Sequence, residues 1–160
     1  MKHNNENHNA FDITFKGIPN VLVTDAMVYQ PSFQKNTNGI VAKCIWDTGA
    51  SHSCISHKIA KTLDLKPFDS RMVHGVNKSC EADIVLASIQ LINGVVLVDI
   101  RFSVNDIPGG DILIGMDIIS IGDFAISNGG GKTQFSFVYP PFKNKISFSD
   151  KAEAINRRKR

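Results

Sequence analysis

Cysteine is scarce in this chain, and the little there is does not pair. Cys44, Cys54 and Cys80 share no repeated spacing. An odd count of this kind argues against a disulfide framework and suits reduced thiols in a cytoplasmic setting. Long apolar runs are also missing. No stretch approaches the roughly 20 residues that span a bilayer, and the opening MKHNNENHNAF lacks the apolar core of a secretory leader. The expectation is a soluble, cytoplasmic protein with no membrane span. Charge is nearly balanced: 18 Lys and Arg against 15 Asp and Glu leave +3. Four of the cations, Arg157, Arg158, Lys159 and Arg160, sit together at the C-terminal end, and no basic stripe interleaved with aromatics occurs elsewhere. Nucleic acid is therefore not an expected partner. Heptads and fixed-period repeats are absent as well.

What remains is enough for one core. A chain of 160 residues, 42% hydrophobic and 21% charged, fits a single globular domain. Residues 1–10, polar and rich in Asn and His, are expected to be a disordered lead. Residues 11–148 form the domain, and 149–160 a basic tail.

Along the domain, β-branched and aromatic residues come in short runs cut by turn residues. ITF, VLVTDAMVY, IVAKCIW, GVVLVDIRFSV, GDFAIS, TQFSFVY and KISFS all read as strands. RMVHGVNKSCEADIVLASIQL reads as two strands joined at a glycine hairpin between His74 and Ser79. Asn38-Gly39 and Asn93-Gly94 are hairpin signals, NDIPGGD is a turn cluster, and Gly129–Gly131 a flexible hairpin. Ile55, Ile59 and Leu63 recur at four-residue steps, which predicts a short helix or helix-like turn ended by Pro67. MDIIS gives a brief helix. ILIG is apolar on both faces and is expected deep in the domain. Many short strands with little helix mean an all-β barrel or sandwich-like fold.

One strand carries a carboxylate into a glycine turn: Ile45-Trp46-Asp47-Thr48-Gly49-Ala50-Ser51. Alone, Asp47 could be a turn residue with an Asx hydrogen bond. Gly115, closing Ile112-Leu113-Ile114-Gly115, lies 68 residues after Asp47, and Met116-Asp117 follows it. Together with the Val73-His74-Gly75-Val76 hairpin, these motifs resemble the retropepsin-like aspartic proteases, the single-lobed relatives of pepsin, from about Val21 to about Asn128.

The resemblance implies a closed, single-lobed acid-protease barrel with one short helix. It makes Asp47 catalytic and Thr48, Gly49 and Ala50 the active-site loop. His74, Gly75 and Val76 become the substrate-binding flap, and Ile114, Gly115 and Asp117 the structural motif, with Asp117 a helix cap and hydrogen-bond partner. Ala50 goes with a milder working pH than Ser or Thr would. No metal or cofactor is implied.

Peptide hydrolysis by this route needs two carboxyls, one as base and one as acid. The sequence has one DTG and no second DTG or DSG. The second Asp47 must come from another copy, so a homodimer acting on protein or peptide substrates is expected. FDITF and KISFS are the two candidates for a terminal strand in its interface.

The remaining reactive residues read plainly. His52, Cys54 and His57 are close in sequence, but their spacing fits no standard zinc site. Cys54 is read as a small buried residue, Trp46 as packing on the strand face opposite Asp47, and Asp111 as a turn residue. Two functions stand: an aspartic endopeptidase, or a module of the same fold that binds or dimerises without efficient proteolysis.

Overall fold

β-Branched runs that alternate buried and exposed positions dominate the computed structural model, which describes residues 7–33, 38–74, 79–145 and 147–158. Among the described residues, ten strands form two sheets. β2 (Leu22–Tyr29), β3 (Ile40–Trp46), β8 (Ile112–Ile114), β4 (Cys54–Ile55), β7 (Val96–Val104) and β6 (Ser79–Leu91) pair in that order. A β2–β6 pairing closes them into a six-stranded barrel. β5 (Asp69–His74) hairpins onto β6 outside the closure. A second sheet sets β10 (Gln134–Tyr139) between β1 (Asn9–Thr14) and β9 (Asp123–Ser127).

Asn93-Gly94 turns β6 into β7 as its sequence demands: Gly94 has φ +81° and its N–H donates to the Leu91 carbonyl at 2.9 Å. ILIG lies deep, with Ile112 and Ile114 fully buried. Ile55, Ile59 and Leu63 all turn inward. The helix they predict, α1 (His57–Thr62), stops before Pro67. Asp64 takes a left-handed conformation (φ +50°), so the Asp64 and Leu65 N–H groups close on the carbonyls of Lys61 and Ala60 at 3.1 and 2.9 Å. This is a Schellman termination with Asp in the position glycine usually holds. α2 (Met116–Ile119) is the brief helix after ILIG.

Two expectations are corrected. KISFS is not a strand: Phe148 opens a third helix, α3 (Phe148–Arg157). Ser147 caps it by accepting the Asp150 N–H at 3.1 Å, so most of the expected basic tail is helical. β1 begins at Asn9, two residues inside the expected lead. FDITF, one of the two interface candidates, pairs with β10 and stands at the edge of the three-stranded sheet.

The core is continuous across both sheets, and Trp46 joins them. Its ring lies 5.0 Å from Phe135, 5.1 Å from Phe137 and 6.1 Å from Phe11 and Phe124, centroid to centroid. Thus Trp46 packs inward from the last residue of β3 while Asp47 leaves the strand.

Cys44, two residues earlier, faces the same interior and is fully buried. Burial pushes its thiol from 9.0 up to about 12, helped by the charges of Asp25 and Asp111. The unfolded chain ionises this thiol near pH 9, whereas the folded one holds its proton until about 12. Stability is therefore full below pH 9 and falls as pH rises through that window. Urea unfolding at pH 8 and pH 10.5 is expected to show wild type losing about 2 kcal/mol more than Cys44→Ala. Equal losses would refute the assignment.

Candidate active site

Two strands that never meet in sequence build the site. β3 and β8 run parallel, pairing Cys44 with Ile112, Ile45 with Leu113 and Trp46 with Ile114. The ladder continues one step further, as the Asp47 N–H donates to the Ile114 carbonyl at 2.9 Å. At that point β3 ends and a tight turn begins. The Ala50 N–H reaches the Asp47 carbonyl at 3.3 Å, and the Gly49 N–H donates to Asp47 Oδ1 at 2.8 Å. A side chain at Gly49 would put its Cβ 3.2 Å from Asp47 Oδ1, so glycine keeps that oxygen's approach open. Asp47 and Ala50 are half-buried, whereas Thr48 and Gly49 are exposed.

The far side of the loop rests on the elbow between β8 and α2. The Met116 N–H donates to the Ala50 carbonyl at 2.8 Å. Gly115 is pressed so close that an added Cβ would lie 2.7 Å from the His52 carbonyl carbon and 2.8 Å from its oxygen. Glycine is required there by the close approach of two backbones. Asp117 is a hydrogen-bond partner, as expected, but the helix cap position belongs to Gly115. Its carboxylate accepts from the Ser53 N–H at 2.9 Å and the Ser53 hydroxyl at 2.7 Å. Ser53 also accepts the Gly115 N–H at 3.0 Å. Sequence reasoning missed Ser53. Its only signal was a serine a few residues past the DTG, and its partner lies 64 residues away.

Asp111 does more than turn the chain. Its N–H donates to the Lys43 carbonyl at 2.8 Å, its Oδ2 accepts from the Lys43 N–H at 3.1 Å, and Lys58 Nζ lies 3.4 Å from Oδ1. These bonds hold the start of β8 against β3.

Asp47 and Thr48 open onto a cleft of about 480 Å³. Its walls include Ile18, Val21, Phe124 and Ile126. Ile18, Val21 and Ile126 are 63%, 48% and 42% exposed, an apolar rim around a carboxylate.

Of the expected flap, His74 ends β5 opposite Ser79, while Gly75 and Val76 lie outside the described residues. His52, Cys54 and His57 do not converge. His52 is exposed on the loop, Cys54 is half-buried with its Sγ 3.1 Å from Ser103 Oγ, and His57 Nδ1 lies 3.2 Å from Asp106 Oδ1. Among the described residues no group of three or more His, Cys, Asp or Glu is placed to hold a metal ion.

A family model described as gag-polyprotein putative aspartyl protease matches residues 34–120, over half of the chain. No curated protein matches it in sequence. Among solved structures, a retropepsin-like aspartic protease from Rickettsia conorii is similar at 18% identity and a TM-score of 0.53, over 82% of this chain and 95% of that one. The EIAV protease complexed with the inhibitor HBY-793 is 20% identical over 62% of this chain and 86% of its own, with a TM-score of 0.49. The likeness to the Rickettsia protein shows the fold: a retropepsin-like closed barrel, mostly β.

Proposed function

Since the chain belongs to the gag-polyprotein putative aspartyl protease family, we propose that it is an aspartic endopeptidase whose dyad is Asp47 from each of two copies. The observation that carries this reading is the position of Asp47. It stands at the end of a parallel strand pair, on a loop fixed from both sides, beside an apolar rim that water covers in the isolated chain. A second copy placed there would cover Ile18, Val21 and Ile126 and supply the missing carboxyl.

Two carboxyls brought side by side there cannot both ionise cheaply, so they share one proton. The ionised Asp47 takes a proton from water as the water oxygen bonds to the scissile carbonyl carbon. The protonated Asp47 of the other copy donates to the carbonyl oxygen. The proton first taken then passes to the amide nitrogen as the C–N bond breaks, while one hydroxyl of the tetrahedral intermediate returns a proton to the other copy's Asp47. Thr48, Gly49 and Ala50 hold the reacting carboxyl in place. An extended peptide would lie across the cleft as an added strand, with His74, Gly75 and Val76 as its flap. No helix among the described residues is long and apolar enough to cross a membrane. A cytoplasmic setting suits the free thiols of Cys44 and Cys54.

The dyad makes activity depend on concentration. Cleavage of a peptide library, measured over a dilution series alongside sedimentation, is expected to fall per chain as the dimer dissociates. Constant activity per chain at dilutions where sedimentation finds only monomer would refute the shared dyad.

A further inference from the structure

We propose that Ser53 and Asp117 form the positioning pair of the Asp47 loop, setting where its carboxyl stands without touching substrate. The catalytic half of this proposal rests on the protease reading above; the structural half does not. Between Trp46 and Cys54 the chain leaves one barrel strand and enters another, with no ladder of its own to hold it. At the Asp47 end it is tied by the bond to Ile114, and at the other end Ser53 ties it.

Three polar groups of Ser53 and its neighbours are satisfied in one closed set. The Ser53 N–H and hydroxyl each donate to a different oxygen of one carboxylate, and the same hydroxyl accepts the Gly115 N–H. Ser53 is fully buried. Bonds to a carboxylate are charge-assisted and stronger than neutral ones, and a buried network has no water to replace a lost partner. Removing the hydroxyl strands the Gly115 N–H and leaves Asp117 Oδ1 with only the Ile118 N–H, now 3.0 Å away, as its donor. The loop then keeps only its backbone bonds to hold it flat on Gly115, where the absence of a Cβ lets the two backbones meet.

The expected consequence is specific. Ser53 lies behind the loop, and neither it nor Asp117 lines the cleft. Substrate binding should therefore be spared while the alignment of Asp47 suffers. Small misplacements of a reacting group cost about a hundredfold in rate.

The test is a double-mutant cycle in the full chain: wild type, Ser53→Ala, Asp117→Ala and both together. Amide hydrogen exchange is the first readout. Each single variant is expected to speed exchange at Asp47, Gly115 and Met116 by about tenfold or more, with β6 and β7 unchanged. The double variant should fall well short of the product of the singles, because the two groups share a bond. The second readout is kinetic: kcat falls about 10- to 100-fold, KM stays the same, and the double again falls short of the product of the singles.

If Ser53→Ala fails to fold, Asp117→Asn carries the test. Its amide oxygen can still accept one bond, while its NH2 faces the Ser53 N–H, so exchange between wild type and Asp117→Ala is expected. Exchange that accelerates evenly through the barrel, losses that multiply in the double variant, or a KM rise at constant kcat would each overturn the pair. A folded, dimeric wild type that cleaves nothing refutes the protease reading instead, and the exchange cycle still decides the structural half.

Discussion

Asp47→Asn is expected to lower peptide cleavage by roughly a thousandfold or more, with fold and dimer intact. In a homodimer one substitution removes both carboxyls, so neither the base for water nor the acid for the carbonyl oxygen survives. The replacement is mild in every other respect. Asn keeps an oxygen able to accept the Gly49 N–H now bound at 2.8 Å, and the backbone bond to Ile114 does not involve the side chain. Circular dichroism, sedimentation and a library assay between pH 4 and 7 check the three parts separately. Equal cleavage by wild type and variant would assign the activity elsewhere. A well-folded dimeric wild type without cleavage would leave a binding or dimerisation module on the same fold.

Trp46→Ala should produce the largest loss of stability. Trp46 is 5% exposed and touches four phenylalanines from β1, β9 and β10, so it packs the three-stranded sheet onto the barrel. Its indole N–H also donates to Thr24 Oγ1 at 2.9 Å, and Thr24 is buried. Truncating an aromatic of this size in a packed core costs about 3–5 kcal/mol, a large share of the roughly 5–15 kcal/mol that holds a domain together. The melting temperature should fall by roughly 10 °C or more. Trp46→Phe, which keeps ring packing but loses the indole bond, should fall much less. A fall under 3 °C for Trp46→Ala would show that the two sheets are held together some other way.

The sequence was most legible where apolar patterning and turn chemistry agree. DTGAS and ILIG are short and distinctive, and the strand that leads into DTGAS pairs directly with ILIG, so their spacing and their geometry carry the same information. Asn93-Gly94 and the Ile55-Ile59-Leu63 stripe likewise depend on nearby residues alone. KISFS misled because its alternating pattern imitates a strand. The stronger signal was Ser147 with Asp150 three residues on, a capping pair that starts a helix. Cys54 was expected to be buried and is half-buried, since it occupies the outward position beside Ile55 in a two-residue strand. Ser53 and Asp117 could not be paired from sequence, because no local rule links a serine to an aspartate across the barrel.

The parallel pairing of β3 with β8 also orders events during synthesis. Asp47 is made before the strand that frames it, which follows only when Ile112 to Ile114 have been added. Closing so long a loop is entropically costly and slow. A growing chain, or one broken off before Ile112, therefore carries the DTG triplet with nothing to shape it. The site comes into being only once Ile112 to Ile114 have been made, so a chain broken off earlier has no framed Asp47 loop.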